Sequence, residues 1–307
     1  MRKQIPVVVI VGPTASGKTA LGVEVAKYLS GEVISADSMQ VYTSMPIASA
    51  APTAEETEGI KHHLVGFLSP SIKFSVAEFV KLATETANDI YKRGKTPVIV
   101  GGTGLYVDSL LKGITFNDED SAELRRDLEA EADEKGVEVL FDRLKAIDPA
   151  TAERLHQNDR KRIIRALEVF ELHGKTMTEL NEESLLSGSG FKPLYIGITY
   201  RDREKLYERI NKRVDTMLSN GLLEEAGAAF EANVGATAVQ AIGHKELFPY
   251  FEGKITLEEA VESLKQATRR YAKRQLTWFR RNEKINWIYA DEVSDVTVAA
   301  KEILKNF

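Results

Sequence analysis

The chain has 307 residues, 43% hydrophobic and 28% charged, the make-up of a globular protein with material for one large domain or two smaller ones. It contains no cysteine, which excludes disulfides, thiolate zinc sites and thiol catalysis and fits a reducing, cytoplasmic setting. The net charge of −5 does not advertise nucleic-acid binding for the chain as a whole, and no apolar run reaches the ~18 residues of a membrane helix.

In chain order, the opening MRKQIPVVVIVGPTASG has the basic start of a signal peptide but runs straight into a glycine motif, so Ile5–Val11 is expected to be a first strand, buried on both faces. A helix follows over 17–29, a second strand over Glu32–Ser35, and a helix over 75–93 with apolar residues at Val76, Phe79, Val80, Ala83, Ala87 and Ile90. Pro97–Val100 reads as another buried strand, broken at Gly101-Gly102, with a helix from about Gly104. This alternation predicts an α/β fold with a parallel sheet covered on both sides. From about Asn117 the texture changes: residues 119–183 are charged and helical, and Ser187–Gly190 makes a flexible return. A strand over 194–199, helices near 202–219, 221–231 and 256–282, and a last strand over Ile285–Tyr289 complete the pattern. The expected organisation is a core of 1–116 plus 191–307 interrupted by an all-helical insertion, 117–190.

Gly12-Pro13-Thr14-Ala15-Ser16-Gly17-Lys18-Thr19 matches G-x-x-x-x-G-K-[ST] in full and stands between a strand and a helix, where its chemistry requires it. The glycines let backbone N–H groups wrap a phosphate, and the helix N-terminus adds a favourable dipole. Lys18 brings a point charge and Thr19 a hydroxyl for Mg²⁺. Such a loop identifies a di- or triphosphate site, not a reaction. Nucleotidases add a carboxylate at the tip of a further buried strand, whereas Pro97–Val100 runs into Gly101-Gly102-Thr103-Gly104. The acid lies instead after the second strand, in Asp37-Ser38-Met39-Gln40. Strand tips of a parallel sheet converge on one crevice, so Asp37 is expected to face the phosphate site as a base, or else to cap a local turn.

The basic residues are clustered. Arg269, Arg270, Lys273, Arg274, Arg280, Arg281 and Lys284 share a short stretch with one acid, Glu283, and Arg160, Lys161, Arg162 and Arg165 form a second group. Either run suits a polyanion partner or a solvated helix face. His62-His63 has no third ligand nearby in sequence and reads as structural.

GPTASGKT at 12–19, DSMQVY at 37–42, HHL at 62–64, FSVAEF at 74–79, GGTGLY at 101–106, NDRKRIIRALEV at 158–169 and KRQLTWFR at 273–280 occur in this order. Together they resemble the bacterial tRNA dimethylallyltransferases (tRNA isopentenyltransferases) along essentially the whole chain. The resemblance implies a P-loop core with a swinging helical domain, and transfer of a dimethylallyl group from dimethylallyl diphosphate to N6 of the adenosine 3′ of the anticodon. It implies Mg²⁺ as cofactor and tRNA as partner; since one tRNA per chain suffices, a monomer is expected, in the cytoplasm and away from membranes. Lys18 and the loop Gly12, Pro13, Thr14, Ala15, Ser16, Gly17 and Thr19 would hold the diphosphate, with Arg209 and Arg213 facing it. Asp37 would be the base and Thr103 would sit near the reacting centre, while Ser38, Met39 and Gln40 would hold an extruded base. Arg125, Arg162 and Arg165 would touch tRNA from the insertion, and Lys273, Arg274, Gln275, Trp278 and Arg280 from the core. Trp278 and Phe279 are also candidates for core packing.

The chain departs from the family pattern in two places. Where the family reads GMDIGTAKPT after DSMQVY, this sequence has Ser44-Met45-Pro46-Ile47-Ala48-Ser49-Ala50-Ala51-Pro52-Thr53, without the usual Asp, one Gly and the Lys. In Ala241-Ile242-Gly243-His244-Lys245-Glu246, His244 replaces the usual Tyr. Three other readings share some of these features: a small-molecule P-loop kinase, a prenyltransferase acting on free adenine nucleotides, and a tRNA binder with chemistry impaired by the altered loop.

Overall fold

The computed structural model describes residues 4–114, 122–232 and 241–307. Its elements are β1 (Ile5–Val11), α1 (Lys18–Tyr28), β2 (Glu32–Ser35), α2 (Ala54–Thr57), β3 (His62–His63), α3 (Val76–Lys92), β4 (Pro97–Gly101), α4 (Gly104–Lys112), α5 (Ala122–Lys135), α6 (Val137–Ile147), α7 (Pro149–Arg154), α8 (Arg160–His173), α9 (Met177–Ser187), β5 (Phe191–Thr199), α10 (Arg203–Ser219), α11 (Leu222–Glu231), α12 (Phe248–Phe251), α13 (Leu257–Phe279), β6 (Ile285–Tyr289) and α14 (Val296–Leu304). The six strands form one parallel sheet in the order β3-β2-β4-β1-β5-β6. Chain contacts divide the protein into two compact units, one of Met1–Leu110 with Gly190–Phe307 and the other of Leu111–Ser189. The insertion boundary expected near Asn117 lies outside the described residues.

The sheet unit is built on β1. Val7 to Val11 are fully buried, as a β-branched run between two strand neighbours and two layers of helices must be. Val8, Ile10, Val98, Val100, Ile196 and Ile198 meet Leu21 and Val25 of α1 and Leu304 of α14 in one apolar cluster. Helix α3 begins with Ser75 accepting from Glu78 N–H while Glu78 returns a bond to Ser75 N–H, a capping box that fixes its start.

The short elements α2, β3 and α12 are not expected from the sequence, and three more elements differ from the expectation. Strand β5 begins at Phe191 because Lys192 and Pro193 continue the register against Pro6 and Val7. Helix α13 stops at Phe279, earlier than 282. Helix α14 follows the strand expected to be last, its start capped by Asp295. His62 and His63 form the short edge strand: His63 Nε2 donates to buried Glu32 at 2.7 Å, and Arg93 and Lys95 complete that carboxylate's partners. No cluster of three or more metal-ligating side chains occurs among the described residues, nor any helix long and apolar enough to cross a membrane.

The helical unit has its own core, with Leu128, Leu140, Phe141, Leu144, Ile163, Ile164 and Leu167 at its centre. Glu168 is fully buried in it and is held by Arg125 at 2.8 Å and Arg165 at 2.9 Å.

Candidate functional site

Three strand tips build the site at the carboxyl edge of the sheet. The loop after β1 is tightly wound: Gly12 and Gly17 have φ of +149° and +98°, and Ala15 is also left-handed at +62°. A Cβ at Gly12 would lie 2.2 Å from the Ile198 carbonyl oxygen, so only glycine lets the loop pass that strand. Lys18 Nζ donates to the Pro13 carbonyl at 2.6 Å, folding the lysine back over its own loop. Arg209 of α10 donates from Nε to Ala15 O at 3.1 Å and so braces the loop from outside. Ser16 Oγ is buried without a hydrogen-bond partner.

The second and third tips are laced together. Ala36 N–H donates to Val100 O, Thr103 N–H to Ala36 O, and Ser38 N–H to Thr103 Oγ1 at 3.1 Å. Gly101 permits this, since a Cβ there would lie 2.2 Å from Ala36 O. Asp37 Oδ1 accepts from Met39 N–H at 2.9 Å, so the carboxylate caps its own turn while facing the loop cations. The turn-capping role expected for Asp37 is present, and it leaves the carboxylate facing the cations. Gln40 works as a buttress: its amide group donates to Ala50 O at 3.0 Å and its oxygen faces Ser35 Oγ at 2.7 Å.

Electrostatics tie these groups into one cluster. Burial, reinforced by the Arg213 charge and opposed by Asp37, pulls Lys18 down to about 7. Burial raises the Asp37 pKa despite its hydrogen bonds and the neighbouring cations. Burial likewise lowers Arg213, which feels Asp37 and Arg209. Two cations thus share one carboxylate in a poorly solvated place, an arrangement that favours an incoming anion. The unpartnered Ser16 hydroxyl and the nearby Thr19 offer oxygen ligands suited to a hard cation that draws its remaining ligands from phosphate.

The structure brings Lys18, Asp37, Thr103 and Arg213 together, with the loop 12–19 and Arg209 around them. Other expected contacts are placed differently. Gln275 is 5% exposed and both ends of its amide are engaged by backbone, so it offers nothing to an RNA in this structure. Trp278 is half-buried against Gly104, where a Cβ would come within 2.3 Å of the indole. Phe279 is core. Lys273, Arg274 and Arg280 are exposed on α13. In the helical unit, Arg125 and Arg165 line a hollow with Glu129, Arg160, Lys161 and Ile164, whereas Arg162 pairs with Asp159 on an exposed face. The sequence reading missed Tyr271, one turn before Gln275, whose hydroxyl faces Thr103 and Gln275 and whose pKa burial pushes up. It also missed Glu225. Its carboxylate accepts from Ile47 N–H at 2.8 Å, from Ala48 N–H at 2.9 Å and from His244 Nε2 at 3.0 Å. The two departures from the family pattern therefore meet at one acid.

A parallel sheet whose central strand feeds a glycine-rich phosphate loop, with a carboxylate at the adjoining tip, defines a P-loop α/β protein. The chain belongs to the IPP transferase family, whose model matches residues 40–282, and an isopentenyl transferase model matches residues 5–67. It is 47% identical over 305 residues to the tRNA dimethylallyltransferase of Thermoanaerobacter sp. (strain X514), covering 98% of this chain and 97% of that one. Among solved structures it is similar to the full-length tRNA isopentenylpyrophosphate transferase of Bacillus halodurans, with a TM-score of 0.70, 42% identity and coverage of 99% and 98%. A eukaryotic dimethylallyltransferase acting on tRNA gives a TM-score of 0.79 at 29% identity, covering 97% of this chain and 78% of that one.

Proposed function

We propose that this protein transfers the dimethylallyl group of dimethylallyl diphosphate to N6 of a tRNA adenosine, the one 3′ of the anticodon in tRNAs reading codons that begin with U. The observation that carries the reading is the convergence of Lys18, Arg213, Asp37 and Thr103 at one strand edge, beside a loop wound to cradle phosphate. The donor's diphosphate occupies that loop. As N6 attacks the allylic carbon, the C–O bond breaks and its electron pair leaves with diphosphate, whose growing charge meets Lys18, Arg213 and the loop N–H groups. Asp37, its proton affinity raised by burial, takes the N6 proton and leaves the amine neutral. Thr103, held by Ser38 N–H, orders the adenosine side of the site. Thr19 would hold a Mg²⁺ ion, which when bound would supply positive charge against the leaving group.

The exposed Lys273, Arg274 and Arg280 of the sheet unit are suited to an RNA backbone, and the basic hollow of the helical unit, taken by itself, is too. One tRNA per monomer suffices for this scheme. The test is incorporation of label from radiolabelled dimethylallyl diphosphate, with Mg²⁺, into an unmodified anticodon stem-loop. Incorporation that disappears when the target adenosine is replaced supports the reading. Phosphorylation of a small acceptor by ATP in place of prenyl transfer would overturn it.

A further inference from the structure

Helix α13 presents a buried amide, Gln275, to the interior of the sheet unit at the site. Gln275 accepts the Thr14 N–H on Oε1 at 2.8 Å and donates from Nε2 to the Gly102 carbonyl at 3.0 Å. Only one orientation of the amide serves both partners, because Thr14 offers a donor and Gly102 an acceptor. Thr14 belongs to the phosphate loop, and Gly102 immediately precedes Thr103, which holds Ser38 beside Asp37. The approach is close: a Cβ at Gly102 would lie 2.1 Å from Gln275 Nε2. One turn earlier, Tyr271 faces the same Thr103 and Gln275. Among the described residues no backbone hydrogen bond joins the two loops beyond the β1–β4 pairing, and the amide links Thr14 directly to Gly102.

We propose that Gln275 is a positioning residue for the transfer reaction, fixing the separation between the loop that holds the donor's diphosphate and the loop that orders the acceptor amine. Displacement at carbon needs nucleophile and carbon about 3–3.5 Å apart and aligned, and a shift of about 1 Å lowers the rate by roughly a hundredfold. A link shorter than one side chain, between the two halves of the site, has that leverage. The inference rests on the site assignment of the preceding section and replaces an RNA contact for Gln275 with an internal one.

The test compares wild type, Gln275→Met and Gln275→Glu in steady-state transfer to the anticodon stem-loop, alongside direct stem-loop binding and thermal melting. Met fills the space without either hydrogen bond; Glu keeps the acceptor for Thr14 and loses the donor to Gly102. Expected for Gln275→Met is a kcat lower by about tenfold or more, stem-loop affinity within about twofold of wild type, and partial recovery of kcat in Gln275→Glu. Unchanged kcat in Gln275→Met, or weakened stem-loop binding as its main effect, would overturn the proposal. If Gln275→Met does not fold, Gly102→Ala displaces the amide from the other side, and normal kcat there sinks the idea equally. Lys18→Ala and Asp37→Ala run in parallel keep the two inferences apart. Normal turnover in those variants removes the site assignment, whereas their inactivity with an unaffected Gln275→Met removes only the role of Gln275.

Discussion

Lys18 lies in the field of Arg213 with little water to share the charge, and this has consequences measurable without substrate. The folded value near 7 is below the ordinary 10.5, so between those limits the unfolded chain holds a proton that the folded chain has released. Stability therefore rises with pH across that window, and the penalty is full below about pH 7. Lys18→Met should melt several degrees above wild type near pH 6.5, the gap closing toward about pH 10. Binding of inorganic diphosphate restores the ammonium, so calorimetry in buffers of different ionisation enthalpy at about pH 8 should register proton uptake, lost in Lys18→Met. In the proposed mechanism Asp37→Ala removes a base and no phosphate contact. Transfer should fall by at least about a hundredfold while stem-loop affinity holds, and normal turnover would show the proton going elsewhere. At this scale the sequence was informative where a local motif carries the chemistry: loop 12–19 and the Asp after β2 are readable from spacing alone. Gln275 and Tyr271 were not, because their partners Thr14, Gly102 and Thr103 lie far away in the chain and are met only through a close helix approach onto a glycine.

At the scale of elements, the segment after Gln40 is held over residues 47–50 by two side chains. Gln40 grips the Ser49–Ala50 backbone, and Glu225 of α11 takes the N–H groups of Ile47 and Ala48 together with His244. Glu225→Ala leaves two backbone donors and a buried imidazole without a partner, a loss of about 2–4 kcal/mol. Amides 47 and 48 should then exchange faster, and protection unchanged from wild type would show that the loop holds itself. Helix α13 divides its labour by face. Gln275 and Phe279 point inward, while Arg274 and Arg280 stand in solvent. Replacing both arginines by Ala should flatten the salt dependence of stem-loop binding by up to about two units of slope. The longer strands and helices of the sheet unit were legible from periodicity, whereas the short β3, α2 and α12 were too brief to show one, and α14 follows a strand that looked terminal. The shared anchor of the 44–51 segment and His244 was not legible, since the intervening acid sits on a helix whose pattern reads only as amphipathic.

For the whole molecule, the two units carry separate cores. Leu167→Ala in the helical unit should cost about 2–5 kcal/mol and raise exchange in α5, α6 and α8 while the amides of β1 and β4 stay protected. Uniform loss across both would indicate a single cooperative block. The order of the sheet bears on assembly as well. Ile5 lies opposite Phe191, so the strand made first acquires one of its neighbours only after the entire helical unit has left the ribosome. Until then one edge of β1 stays open, and closing it brings together chain ends separated by most of the sequence, a slow step by contact order. A helical unit that collapses early, on the local contacts of its own core, shortens that loop before the sheet is joined. The insertion is then an aid to folding, and the vulnerable species in the life of this protein is the half-made sheet.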